Sequence, residues 1–392
     1  MPATLGTPRE SFPGERRVAI TPRHCDGLRK AGIEILIEHN AGAEAGYPDE
    51  AYSARGARLV DRETLFSEAQ IIAQVRTLGA NPDSGLQDLA LLRSGQVVAG
   101  FSEPLTSVKE CLDLANAGVS LFGMELMPRI TRAQSMDALS SMATISGYRA
   151  VLLGASHLPK MFPMLMTAAG TVAPAKVFVL GAGVAGLQAI ATARRLGAVV
   201  CAYDVRPAVK EQVESVGAKF VKLDVDSQTA EDKSGYAKAL GEEFYRRQRQ
   251  LLTDVLREQD VVITTAAVPG HKAPILITGE MVAAMQPGSV IVDLAAERGG
   301  NCELTQPGEN IVRHGVLLLG PLNVPSLVPY HASQMYASNI AAFVKILVRD
   351  GALNIAREDE IVRETLVTHQ GKIVHPRVLE AAERSLLASA GR

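Results

Sequence analysis

Three glycines and one aspartate carry the most legible chemistry of this chain. Residues 177–186 run Val-Phe-Val-Leu-Gly-Ala-Gly-Val-Ala-Gly, and Asp204 closes the next apolar stretch. An apolar strand, Val177–Leu180, feeds Gly181-x-Gly183-x-x-Gly186, and a helical pattern, Leu187–Leu196, follows and stops at Gly197. That order is the one a turn needs to receive the pyrophosphate of a dinucleotide. Gly181 permits the tight turn, Gly183 lets the backbone approach the phosphates, and Gly186 lets helix and strand pack closely. The helix start adds unpaired N–H groups and the positive end of its dipole. Asp204 lies 18 residues past Gly186, at the end of a second strand, Val199–Tyr203, where a carboxylate accepts from both ribose hydroxyls. This favours NAD, because a 2′-phosphate about 4 Å from the carboxylate is opposed by roughly 4 kcal/mol at an effective dielectric of 20. Arg206 softens that discrimination. The candidate cofactor-binding residues are Gly181, Ala182, Gly183, Val184, Ala185, Gly186, Asp204, Val205 and Arg206, with Ala266 after the strand Val261–Thr265. The other reading is a Rossmann-like domain adapted to a different ligand.

A second stretch is polar. In Met127-Pro-Arg-Ile-Thr-Arg-Ala-Gln-Ser-Met-Asp-Ala-Leu-Ser-Ser141, a helix from Thr131 sets Gln134, Asp137 and Ser141 on one face, with Ser140 beside them and Arg129 and Arg132 at the start. Gln134 both donates and accepts, as a carboxamide or ribose hydroxyl requires. A face of Gln, Asp and Ser is also an ordinary solvated one, and by itself this stretch does not choose. Leu223–Gly241 is polar, nearly free of large apolar residues, and interrupts a Rossmann crossover. It reads either as a solvated loop or as a lid in which Tyr236 closes over the nucleotide. Seven of the eleven methionines fall between Met124 and Met166, a concentration that suits core packing or a subunit interface.

Some chemistries are missing from the sequence. There is no HExxH, no GxSxG, no P-loop and no close His/Cys cluster, so no metal site is expected. The eight histidines are dispersed. Hydride transfer between two nicotinamide rings needs no general acid or base, only two C4 atoms held near contact.

These residues need elements to hold them. With 392 residues, 47% hydrophobic and 21% charged, the chain is an ordinary globular protein too long for one core. A net charge of −2 gives no reason to expect nucleic acid as a partner. Cys25, Cys111, Cys201 and Cys302 are scattered and suit a reduced, cytoplasmic protein. No run of 18 uncharged apolar residues exists, so direct membrane insertion is not expected. Strand signals at Val18–Ile20, Ile33–Ile37, Leu59–Val60, Ile71–Val75, Val97–Phe101 and Val119–Phe122 alternate with helical ones. Helices are expected from Arg132 to Thr167. The strands Val261–Thr265, Val290–Leu294 and Val316–Leu319 continue the fingerprint domain, and Ala337–Val348 reads as an apolar helix that returns to the first domain. The expected fold is α/β, with two Rossmann-like domains built on parallel sheets and a cleft between them. The first domain is discontinuous, 1–138 plus 327–392, and 139–326 is the NAD(H)-binding domain.

Several stretches together match one family: Pro13-Gly-Glu-Arg-Arg-Val-Ala-Ile-Thr-Pro22, Met124–Asp137, Ala168-Ala-Gly170, the glycine fingerprint, Ser234-Gly-Tyr-Ala-Lys238, Pro287–Asp293, Gly299-Gly-Asn-Cys302 and Asn323-Val-Pro325. Over nearly its whole length the chain resembles the NAD(H)-binding alpha subunit, domain I, of proton-translocating NAD(P) transhydrogenases. The resemblance implies a homodimer, peripheral on the inner face of the cytoplasmic membrane, that binds NAD(H). It also implies docking with an NADP(H)-binding beta subunit and separate membrane-spanning subunits, with hydride passing directly from NADH to NADP⁺. By the same match Gln134 would steer the nicotinamide, Arg129, Asp137 and Ser140 would hold the nicotinamide end, Asp204 would take the adenosine ribose, and Tyr236 would sit on a mobile loop.

The fold also resembles alanine dehydrogenase. Arg17 stands where that enzyme uses an arginine for a substrate carboxylate. The regions that would supply its catalytic lysine and histidine read Ala73-Gln-Val-Arg76 and Val98–Pro104, with neither residue. Oxidative deamination needs a base near neutrality, so its absence argues against that activity. An NAD(H)-sensing subunit without catalysis is the third reading.

Overall fold

The computed structural model describes residues 2–222, 242–267 and 270–390. Leu223–Gly241, and with it the expected lid residue Tyr236, lies outside the described residues. By their internal contacts the residues form two compact units, Met1–Met142 with Ser326–Arg392, and Ala143–Pro325.

The strands of the first unit begin with β1 (Ala3–Thr7), β2 (Ile33–Glu38), β3 (Arg58–Val60), β4 (Ile71–Arg76), β5 (Val97–Phe101) and β6 (Ser120–Gly123). The second unit contains a short hairpin, β7 (Leu165–Thr167) and β8 (Gly170–Val172). It continues with β9 (Lys176–Leu180), β10 (Val199–Tyr203), β11 (Lys219–Phe220), β12 (Val261–Thr264), β13 (Val290–Asp293), β14 (Asn310–Arg313) and β15 (Val316–Leu319). The tail returns to the first unit with the small pair β16 (Val348–Arg349) and β17 (Ala352–Leu353), then β18 (Leu366–His369) and β19 (Lys372–Ile373).

The first sheet runs β19-β18-β6-β5-β4-β1-β2-β3, and the second β11-β10-β9-β12-β13-β15-β14. Both are mostly parallel. The sequence led us to expect wholly parallel sheets, but β18 pairs antiparallel with β6, β19 with β18, and β14 with β15. These are edge additions outside the βα rhythm, and β14 is largely exposed, so it carries no continuous apolar signal. Strands β9, β12 and β13 are buried almost throughout, as strands covered on both faces must be. Their core includes Val177, Val179, Ile190, Val261, Ile263 and Val292.

Two segment assignments are corrected. Val18–Ile20 is fully buried but is not a strand. Its backbone is held by side chains, with Val18 N donating to Ser333 Oγ at 3.0 Å. The first strand is instead Ala3–Thr7, masked in the sequence by Gly6. A Cβ at Gly6 would lie 2.7 Å from Leu65 Cδ2 and 2.8 Å from Ala69 Cβ, so the helix Arg62–Glu68 packs directly on this strand. Helix does not extend to Thr167 either: it ends at His157, and the β7–β8 hairpin follows. The tail helix is longer than expected, Pro329–Ile346, and buries Ile340, Phe343 and Val344 within the first unit.

Candidate functional site

In the second unit the chain adds β10 and β11 on one side of β9, then crosses to β12 on the other side. Ligands of doubly wound sheets bind where the strand order reverses, beyond the carboxyl ends of the strands. Gly181–Gly186 and Thr265–Ala266 leave the sheet at that place. The three glycines differ in what demands them. Gly181 has φ +98°, a left-handed backbone, and Thr265 Oγ1 would stand 2.6 Å from an added Cβ. At Gly186 an added Cβ would meet the Gly181 carbonyl oxygen at 2.0 Å. At Gly183 nothing lies within 4 Å, and φ is −73°. Neither packing nor conformation requires glycine there; what the missing side chain leaves is open space over the turn.

Gly183 is also the N-cap of the 12-residue helix Val184–Arg195, which has no side-chain cap and no acidic residue in its first turn. The N–H groups and dipole at this end are therefore offered outward rather than to a protein carboxylate. The helix is pinned from behind, since a Cβ at Gly147 would lie 2.0 Å from the Ala185 carbonyl oxygen. Together these residues fit a pyrophosphate. Asp204 is 8% exposed. Its Oδ2 accepts from Ala182 N at 2.8 Å, and its Oδ1 from Arg206 N at 2.9 Å. The Arg206 guanidinium forks onto both oxygens, Nε and Nη2 each at 2.9 Å. The four acceptor positions of the carboxylate are thus filled, and a ribose would have to displace the guanidinium. Val205 follows at the edge of the same core, packed with Ala266 around Phe178 and Leu180.

The polar stretch lies in the first unit up to Met142 and is not one helix. Thr131–Met136 is a 3₁₀ turn, Asp137 leaves the helical region with φ −75° and ψ 85°, and the α-helix starts at Ala138. The expected shared face of Gln134, Asp137 and Ser141 is corrected accordingly. Asp137 caps the helix: Oδ1 accepts from Ser140 N at 2.9 Å and Oδ2 from Ser140 Oγ at 2.5 Å. The 3₁₀ turn is fastened on two sides. Arg132 makes a two-pronged ion pair with Asp359, both bonds at 2.7 Å, and Asn339 Nδ2 donates to the Ser135 carbonyl at 2.9 Å. Ala133 and Met136 are buried, while Arg129 and Gln134 are exposed. Gln134 thus stands on a turn whose backbone is held in place.

Comparison with known proteins places this geometry. Residues 6–146 match the description "Alanine dehydrogenase/PNT, N-terminal domain" and residues 150–376 "Alanine dehydrogenase/PNT, C-terminal domain". In Rhodospirillum rubrum, the first of the polypeptides that make up the NAD(P) transhydrogenase alpha subunit is 47% identical over 376 residues, covering 95% of this chain and 98% of its own. The chain belongs to the NAD(P) transhydrogenase alpha-subunit family. The crystal structure of the transhydrogenase from Sinorhizobium meliloti aligns with a TM-score of 0.82 at 43% identity, covering 95% of this chain and 99% of that one. Alanine dehydrogenases are more distant relatives: that of Mycolicibacterium smegmatis is 28% identical over 380 residues, 94% of each chain.

The transhydrogenase family is one of oxidoreductases, and in this member the first unit repeats the strand reversal, between β1 and β4, without the glycines. There the protein fills the place with its own side chains. Glu10 accepts from Val75 N at 2.6 Å and Arg76 N at 3.1 Å. Glu15 takes Arg17 Nε at 2.7 Å, Arg17 Nη2 at 2.6 Å and Arg76 Nε at 3.2 Å. Arg17 is 4% exposed and Glu15 6%. Sequence reasoning singled out Arg17 and Arg76 but not Glu10 or Glu15. The Glu-x-Arg spacing was the available signal.

Among the described residues no helix is long and apolar enough to cross a membrane, and no group of His, Cys, Asp and Glu could hold a metal ion. The methionines divide: Met124, Met136 and Met142 are core, whereas Met161, Met164 and Met166 are 49%, 58% and 77% exposed around the β7–β8 hairpin.

Proposed function

We propose that the second unit binds NAD(H) and that the subunit passes hydride directly from NADH to NADP⁺ held by a beta subunit, a transfer coupled to proton translocation by membrane-spanning partners. The observation that carries the nucleotide reading is the open space over Gly183 in front of an uncapped helix start. When bound, the nicotinamide supplies the hydride; this chain's residues bind and orient. The turn 181–186 receives the pyrophosphate with Ala182, Val184 and Ala185, and Ala266 lines the opposite wall. Asp204 exchanges Arg206 for the adenosine ribose hydroxyls, with Val205 alongside. Gln134 steers the carboxamide, and Arg129, Asp137 and Ser140 support the nicotinamide end. Tyr236 is assigned to the loop that covers the nucleotide. We assign the protein to the inner face of the cytoplasmic membrane, held there by its partners. The exposed methionines of the hairpin are the surface we assign to a second copy in a homodimer.

The deciding experiment mixes the pure chain with an NADP(H)-binding partner domain, NADH and an NADP⁺ analogue. Hydride exchange supports the proposal. Turnover with pyruvate and ammonia would instead make the chain an amino-acid dehydrogenase, and NADH binding with neither activity would make it a sensor.

Two substitutions test the assigned contacts. Gly183→Ala costs at most about 1 kcal/mol of stability, since the added methyl meets nothing and only the N-cap preference is lost. It lowers NADH affinity by about tenfold or more, roughly 1.4 kcal/mol. Calorimetric titration beside a thermal melt separates the two, and an unchanged Kd would remove the phosphates from this turn. Asp204→Ala weakens NADH by about tenfold, the worth of one charged hydrogen bond, and narrows its preference over NADPH because Arg206 is released toward a 2′-phosphate. Competition between NADH and NADPH reads this out, and an unaltered ratio would mean that the acid does not face the ribose.

A further inference from the structure

The Gly299-Gly300-Asn301 turn has no role in the reading above, yet it reaches the nucleotide crevice. Both glycines have positive φ, +92° and +78°, and an added Cβ at Gly300 would lie 2.8 Å from Asp293 Oδ2. Asp293 is fully buried at the end of β13. It accepts from Thr264 Oγ1 (2.8 Å), Ala295 N (3.0 Å), Asn301 N (2.8 Å), Cys302 N (3.0 Å) and Thr305 Oγ1 (2.7 Å). This turns Asn301 inward, where it is 0% exposed.

The Asn301 side chain is then spent largely on one residue. Its Oδ1 accepts from Ala266 N at 3.0 Å, and its Nδ2 donates to Ala266 O at 2.8 Å and to Pro274 O at 2.9 Å. Its carbonyl accepts from Leu276 N at 2.8 Å and Ile277 N at 3.0 Å. Ala266 lies beyond the end of β12 at Thr264, where the sheet no longer fixes the backbone. It is also one wall of the crevice. Thr265 Oγ1 donates to the Gly181 carbonyl at 2.9 Å, and the Ala266 nitrogen would lie 3.2 Å from a Cβ on Gly181. A displacement of Ala266 therefore moves against the glycine turn with no slack between them.

We propose that Asn301 is a positioning residue for the dinucleotide: by gripping both polar groups of Ala266 it sets the width of the crevice between the glycine turn and the β12 loop. The proposal rests on NAD(H) binding by the second unit. Buried amide networks of this kind hold a site to sub-ångström tolerance, which ligand affinity senses more sharply than global stability does.

The test compares Asn301→Asp and Asn301→Ser with Val290→Ala, a truncation in the buried core of the same unit away from the crevice. NADH Kd is measured by calorimetry on the full chain, below every thermal transition. Asn301→Asp keeps an acceptor for Ala266 N–H but loses both donors; Asn301→Ser is too short to span to Pro274. The expected result is a loss of NADH affinity of about tenfold in either Asn301 variant, at a drop in Tm for which Val290→Ala leaves Kd within about twofold. Thr265→Val, which removes the hydroxyl bond to Gly181 without touching the Asn301 turn, gives a loss in the same direction and decides the matter if neither Asn301 variant folds. Wild-type Kd in a folded Asn301 variant overturns the proposal, as does an equal loss in Val290→Ala. Absence of NADH binding by the unaltered chain is a different failure: it removes the nucleotide reading itself.

Discussion

Gln134→Asn is expected to slow hydride transfer by about a hundredfold while NADH affinity stays within about a factor of two, because misplacing a reacting group by about 1 Å costs that much in rate. The substitution keeps the same amide and withdraws it by one methylene. The platform does not compensate, since the 3₁₀ turn is tied down by Arg132–Asp359 and Asn339–Ser135. Gln134 is exposed, so the change costs the fold little. Single-turnover exchange with an NADP(H)-loaded partner domain gives the rate, and titration gives the affinity. Parallel losses in both would mean that Gln134 merely binds.

Glu15→Ala tests the other extreme, a residue buried with its charge. It leaves the Arg17 guanidinium without its two-pronged partner, and breaking a buried pair from one side costs about 3–5 kcal/mol. Glu15→Leu with Arg17→Met, which removes both charges, should cost much less. Hydrogen exchange of β1 and β4 reports the first unit directly. The pH dependence has a definite sign. Burial alone would raise the Glu15 carboxyl, but the charge and hydrogen bonds of Arg17, followed by the charge of Arg76, outweigh it and bring the pKa from 4.5 to about 2. A folded value below the unfolded one means the pair's contribution is fully present above pH 4.5 and is lost as pH falls toward 2. The Glu15→Ala protein should show a shallower stability loss across that window. An unchanged acid profile would show that the pair contributes nothing.

The strands legible in the sequence were those with unbroken apolar runs: β2, β4, β5, β9, β10, β12, β13 and β15 all stand within a residue or two of where periodicity put them. Those that were missed had a physical reason for weak signals. β1 carries Gly6 under a close helix, and β14 and β18 are antiparallel edges outside the βα alternation. Val18–Ile20 shows the converse, since burial without a ladder produces the same apolar letters as a strand. The glycine turn was readable in full because each glycine answers a local demand. The polar stretch was not, since Pro128 and a 3₁₀ turn break the period that a helix face assumes, although Asp137 three residues ahead of Ser140 is an N-cap signature. Asn301 was hidden because its importance depends on which peptide it reaches 35 residues away.

The first sheet receives β18 and β19 from residues 366–373, beside β6 at residues 120–123. The second sheet, by contrast, has all its strands by Leu319. On the ribosome the nucleotide-binding half is therefore complete while the earlier-made half still lacks an edge. A nascent chain halted between these points carries a finished β9–β15 sheet and a β6 flank open to pairing with another strand.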